Sequence, residues 1–241
     1  MIDSPEATAS GRFLLARSDE GGYRSPDMTL FFEPRKLLIP LVVAIAGLRG
    51  PAADAERLVF TPMGRKLPHG EIRLQHFFEG GDRGKSRTTL GVGFSPLFDG
   101  TLAWESGLLG GEEGLTFDFS YNLIAPFPDV NPGFSVGVVD ALDRTADGRG
   151  IYLAATWRLG MIGDFNQGSP LDATIGLMTN RRQPVFVGAR FPFADQLFYL
   201  TEVDSRRVLH GIEVRPFRSG TVRLMDRGGT TIWSVGVSAR F

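Results

Sequence analysis

Two short stretches constrain this chain more than anything else in it: LTFDFSYNL at Leu115–Leu123 and IYLAATWRL at Ile151–Leu159. In the first, Leu115, Phe117, Phe119, Tyr121 and Leu123 share one parity, while Thr116, Asp118, Ser120 and Asn122 share the other. In the second, Ile151, Leu153, Ala155, Trp157 and Leu159 alternate with Tyr152, Ala154, Thr156 and Arg158. Side chains on a strand point to opposite faces in turn, so a period of two spells a strand with one greasy and one polar face. A helix would need a period near 3.6, and no segment after Ala55 shows one.

The same alternation recurs near residues 70–79, 88–95, 100–105, 133–140, 172–178, 184–191, 197–203, 207–215, 220–226 and 230–241. Turn-forming residues separate the runs, and the 31 glycines supply many of them. Three related stretches, SPLFDGTLAW, FPFADQLFYL and RPFRSGTVRL, each place a proline at a strand end before a short turn and a new strand. Pro96, Pro192 and Pro216 start these turns, because proline cannot donate to a ladder and belongs at a strand boundary. Counted back from Phe241, all three turns fall at the same end of the sheet as the C-terminus. The fold class is therefore all-β: an up-and-down antiparallel β-barrel of about twelve strands, ten to twelve.

Alternation alone does not say which face is dry. Three features point to lipid on the apolar side. The stretch MTLFFEPRKLLIPLVVAIAGLRGPAADA carries a basic start at Arg35 and Lys36, an apolar run at Leu37–Leu48, and an A-x-A cleavage motif at Ala53 and Ala55. That is a secretory signal peptide, since the run is too short to cross a bilayer as a helix. Residues 1–27 read as a disordered leader or a mispredicted start, 28–55 as the signal peptide, and 56–241 as a single barrel domain. The polar face also carries charges of both signs within strands: Arg73, Glu105, Asp118, Arg158, Arg190, Glu202, Glu213, Arg215, Arg223 and Arg240. These suit an enclosed lumen, either as a polar path or as an ion-pair plug. Finally, Trp104, Tyr121, Trp157 and Trp233 lie toward strand ends on the apolar face, where amphipathic rings favour a membrane interface.

The chain ends IWSVGVSARF, with Trp233, Val235, Val237 and Phe241 on one face. An aromatic-terminated last strand resembles the signal that barrel-assembly machinery reads in bacterial outer-membrane barrels. The expected location is thus the outer membrane of a Gram-negative-type bacterium, with both termini periplasmic and outer-membrane lipid around the barrel.

Other chemistry is poorly supported. A net charge of −1 and no cysteine argue against nucleic acid as a partner and against thiolate metal sites. His69, His76 and His210 lack metal-ligand spacing, and Ser205 near His210 has no orienting carboxylate, so neither catalysis nor a cofactor is expected. Glu202, Asp204, Arg206 and Arg207 read as a solvated hairpin tip. The connecting loops are short, so no separate plug domain is expected.

Three stretches resemble the YjbH/GfcD-type outer-membrane β-barrel proteins associated with exopolysaccharide and capsule production: LGVGFSPLFDGTLAWES, PGFSVGVVDALDRTADGRGIYLAATWRL, and LFYLTEVDSRRVLHGIEVRPFRSGTVRLMD followed by WSVGVSARF. The resemblance lies in the succession of short hairpins, the acidic strand end at Glu202–Asp204 and the strand Gly211–Arg215. It implies a non-enzymatic barrel accessory to surface polysaccharide export, with polysaccharide or export proteins as partners. The alternative reading is a small passive outer-membrane channel or structural barrel.

Overall fold

The computed structural model describes residues 57–82, 84–108, 113–145, 148–160, 170–180, 184–204 and 207–241, the side chain of residue 204 excepted. The leader, the signal peptide with Ala53 and Ala55, and the loop residues Ser205 and Arg206 lie outside them.

Twelve strands follow one another: β1 (Glu71–Glu79), β2 (Ser86–Gly93), β3 (Phe98–Ser106), β4 (Gly114–Ile124), β5 (Gly133–Val139), β6 (Gly150–Leu159), β7 (Leu171–Met178), β8 (Val185–Ala194), β9 (Leu197–Asp204), β10 (Val208–Val214), β11 (Gly220–Arg227) and β12 (Thr230–Arg240). Each pairs antiparallel with the next, and β12 pairs with β1 from Glu71↔Arg240 to Glu79↔Ile232, closing the barrel. Closure leaves no sheet edge, the condition for a strand structure to sit in hydrocarbon. Phe241 adds one more rung, donating its N–H to the Gly70 carbonyl at 2.9 Å. We call the end where β1 begins and β12 finishes the near end, and the other the far end.

The turns follow local chemistry. Gly228 and Gly229 both adopt positive φ (61° and 86°) between Arg227 and Thr230, the geometry of a type I′ hairpin that matches the twist of its strands. Pro96 and Pro216 lie in near-end turns. Pro192 instead lies inside β8, facing inward, and the register shifts between Pro192 and Ala194 to accommodate it. A bulge absorbs the donor that proline lacks.

The two faces of the wall differ sharply. Leu102, Trp104, Leu153, Trp157, Ile175, Leu177, Val187, Ile212, Leu224 and Trp233 point outward and are exposed, while Phe117 and Phe119 are half-buried on the same surface. Inward positions on the same strands carry Asp118, Thr156, Asp172, Arg190, Glu213 and Arg223, all buried. Rings crowd the near end of the exterior, where Phe98 stacks with Phe119 (5.5 Å) and contacts Tyr121 (4.7 Å), and Tyr199 packs on Phe191 and Phe193. Trp104 and Trp233 lie toward the far end.

Candidate functional site

A barrel of eight strands can be filled by its own side chains; twelve enclose more room than side chains occupy. Here the room is taken by the segment that precedes β1. Arg57 and Pro62 form an antiparallel bridge, with Leu58 donating its N–H to Thr61 at 3.3 Å, so the chain turns back on itself inside the lumen. From Pro62 it runs toward the near end and enters β1. The short loops predict no separate plug domain; the lumen is filled instead by the short segment that precedes the first strand.

The tip of this segment docks on a greasy patch inside the barrel. Leu58, Val59 and Met63 pack with Phe77, Leu108, Leu200, Leu209, Met225 and Ile232, toward the far end of β1 and β9–β12. Phe60 lies against the patch, its ring flanked by the guanidinium groups of Arg87 and Arg227, each 5.9 Å from the ring centre. Such cation–ring contacts strengthen where water is excluded.

Below the tip, polar wall residues hold the plug backbone. Glu202 accepts the N–H groups of Val59 and Phe60, the latter at 3.2 Å. Thr156 accepts the Gly64 N–H at 2.6 Å, Asp99 the Leu67 N–H at 2.9 Å, and the Ser135 hydroxyl donates to the Met63 carbonyl at 2.7 Å. Two wall glycines supply clearance. A Cβ at Gly133 would strike the Gly64 carbonyl, and one at Gly188 would strike the Leu58 side chain.

Charges in the lumen divide into two regions. On β6–β11, Asp172 lies completely buried with Arg190 at 2.7 Å, Arg158 at 3.3 Å and the plug's Arg65 at 3.0 Å. Glu213 holds Arg223 at 2.8 Å and Arg215 at 2.9 Å. Arg190 and Arg215 stand over the Phe198 ring at 5.0 and 4.7 Å, so two guanidinium groups share one aromatic ring. We call this the arginine half.

On β1–β4 the balance tips the other way. Glu71, Asp99, Glu105 and Asp118 are buried there with Arg73, and Arg87 is half-buried beside them. Asp118 takes the Asp140 N–H on one oxygen at 2.6 Å; its other oxygen has the plug's Arg57 at 2.9 Å and Arg87 at 3.8 Å. The cations whose fields reach Asp99 are Arg57 and Lys66, both on the plug. Burial holds the Lys66 ammonium below the ordinary lysine range, Asp99 pulling the other way, and Lys66 donates to the Ser95 carbonyl at 2.6 Å. A small polar cavity remains between plug and wall, lined by Arg57, Pro62, Asp99, Thr101, Asp118, Phe119, Ser120 and Tyr152. We call this the acid half.

Of the charges singled out in the sequence, Arg158, Arg190, Glu213, Arg215 and Arg223 meet in the arginine half, while Glu105 and Asp118 lie in the acid half. Arg73 pairs with Glu71 at 3.1 Å. Glu202 is buried beneath the plug tip and not at a solvated hairpin end. Arg240 is exposed at the near rim, its Nε 3.3 Å from the His69 carbonyl. In the last strand Trp233 and Val235 face outward, Val237 is buried, and Phe241 is 81% exposed. His210 is exposed on the outer face; His76, also facing out, lies 2.9 Å from the Thr88 hydroxyl. Among the described residues no group of His, Cys, Asp and Glu is arranged to hold a metal ion.

The plug and its docking patch were missed by sequence reasoning. The signal for the patch was present: Phe77, Leu200, Leu209, Met225 and Ile232 are apolar at positions whose parity is polar.

No family model matches this chain, and no curated protein matches it. Among solved structures the chain is similar to a KdgM porin, at TM-score 0.46 and 14% identity over 71% of this chain and 99% of that one. It is likewise similar to a KdgM porin in complex with disordered oligogalacturonate, at TM-score 0.45 and the same identity and coverage.

Proposed function

We propose that this chain is a non-enzymatic barrel of a bacterial outer membrane that forms a narrow passage, held shut by its own leading segment. The inversion of the wall carries the membrane reading. Leu153 and Ile175 are left exposed outside while Asp172 and Glu213 are fully buried inside, an arrangement water would penalise and a bilayer favours. The strands, seven to eleven residues long, suffice for a thin outer membrane. On this reading the near end, where β1 begins and β12 finishes, faces the periplasm, and insertion uses the barrel-assembly machinery.

The closed passage rests on the plug. It is gripped through side chains that a permanently solid core would not need, since apolar packing alone could fill a structural barrel more cheaply than buried charge. Heat-modifiability gels on outer-membrane fractions test the location: the folded barrel migrates differently before and after boiling. Leu153→Arg, on the outer face, should lower stability in lipid by about 2–4 kcal/mol if it lies near the bilayer midplane. Extraction into aqueous buffer without detergent would defeat this reading. For the passage, planar-bilayer recordings should show little current from wild type and clear openings from Gly188→Val, whose side chain collides with Leu58. Silence from both, in barrels shown to be folded, would reduce the protein to a structural barrel.

A role accessory to exopolysaccharide or capsule export is supported by the three stretches quoted above. Loss of surface polysaccharide on deletion of the gene, restored by the wild-type chain, is the result that reading requires.

A further inference from the structure

We propose that the acid half of the lumen is a binding site for organic polycations of the polyamine class, which compete there with the plug's own cations. The proposal deepens the passage reading and relies on it for access to the lumen.

The plug already behaves as a resident ligand of this half. It brings Arg57 to Asp118 and Lys66 toward Asp99, together with the Leu67 N–H. What it supplies is positive charge and donors, and what the wall offers is carboxylate oxygen. The Asp118 oxygen that faces Arg57 accepts no hydrogen bond of good geometry although Asp118 is only 2% exposed. Asp118 also lines the polar cavity, where Asp99, Thr101, Ser120 and Tyr152 add further polar groups. A buried carboxylate oxygen that has ion pairs but no good hydrogen bond gains from an extra donor.

The rest of the lumen gives a polycation no comparable reward. In the arginine half each carboxylate is neutralised by arginines from neighbouring strands, and these stay when the plug leaves. When the plug leaves, Asp99 loses the Leu67 N–H and Asp118 loses Arg57. A solute able to replace the plug must therefore carry several separated positive charges on a slim, flexible stem. Polyamines fit this description, since each ammonium brings three donors and the methylene links can lie where Pro62 of the plug now sits.

Trypsin reports the competition, because Arg57, Arg65 and Lys66 become cleavable when the plug leaves the lumen. Full-length protein folded in detergent micelles should be nicked at these residues several-fold faster in spermidine than in sodium chloride of equal ionic strength. Sodium citrate at that ionic strength should leave the rate at the sodium chloride value. The acceleration should disappear in Asp99→Asn/Asp118→Asn. Equal rates in spermidine and sodium chloride overturn the site, and so does equal acceleration by citrate, which would show screening alone. If the double variant fails the heat-modifiability gel, the wild-type comparison of the three salts decides on its own. Planar-bilayer current separates the two claims. Current with no effect of spermidine on nicking leaves the passage standing and removes the site. Accelerated nicking in a folded but silent barrel removes the passage and keeps the site.

Discussion

The arginine half and the acid half of the lumen are built from the same residue types, on strands of the same sheet, yet they are stabilised in different ways. In the arginine half the pairs run from strand to strand: Asp172 on β7 to Arg158 on β6 and Arg190 on β8, Glu213 on β10 to Arg223 on β11. All of these belong to the wall, and only Arg65 on Asp172 comes from the plug. In the acid half, Asp99 and Asp118 look to Arg57 and Lys66, which belong to a removable segment. One half is a permanent brace and the other is a latch. Buried charge is costly wherever it sits, so the location of the compensating charge decides what can move.

This contrast can be broken from the brace side first. Asp172→Asn leaves Arg65, Arg158 and Arg190 without their shared carboxylate, and should cost about 3–5 kcal/mol, the range for stranding buried charge. Urea unfolding of the barrel in detergent micelles measures it, and the whole sheet should weaken. A change below 1 kcal/mol would mean that the arginine half is not a brace.

At the plug's tip, gripped from β9 by Glu202, the barrel should survive and the plug should not. Glu202→Gln disturbs the carboxyl that accepts the Val59 and Phe60 N–H groups, two hydrogen bonds that contribute about 0.5–1.5 kcal/mol each. The expected result is an almost unchanged unfolding midpoint with markedly faster tryptic nicking at Arg65 and Lys66. If the midpoint fell as far as in Asp172→Asn, the plug would be part of the barrel's stability and the distinction between brace and removable segment would fail.

The smallest effect is expected from Ser135→Ala, which removes one neutral hydrogen bond to the Met63 carbonyl, a contribution of about 0.5–1.5 kcal/mol. It sharpens the comparison by giving the cost of one plug contact without charge. Nicking should accelerate by no more than about tenfold, because that contribution is at most about one decade in an equilibrium constant.

Most of the wall was legible from periodicity alone. The run read at 172–178 is the strand Leu171–Met178, and LTFDFSYNL lies inside Gly114–Ile124. This works because a strand with one face on the lumen and the other on the exterior sees two contrasting environments, and each residue reports its side. The plug was illegible for the opposite reason. RLVFTPMGRKLP has no period, since it touches walls all round and no face of it is uniformly dry. The ion-pair partners were hidden too: Asp172 and Arg190 lie eighteen residues apart and meet only through the register of β7 on β8. Glu202 looked like a turn residue because it lies close to the acidic end of its strand, and parity alone places it inside.

The direct join between plug and β1 bears on how the molecule is made. Once β12 has zipped onto β1, the only way for residues 57–69 to reach the greasy patch is up through the near mouth, past Asp99 and Thr156. If they gather on that patch earlier, the sheet curls around them as around a mandrel, and the final seam closes with the cork already seated.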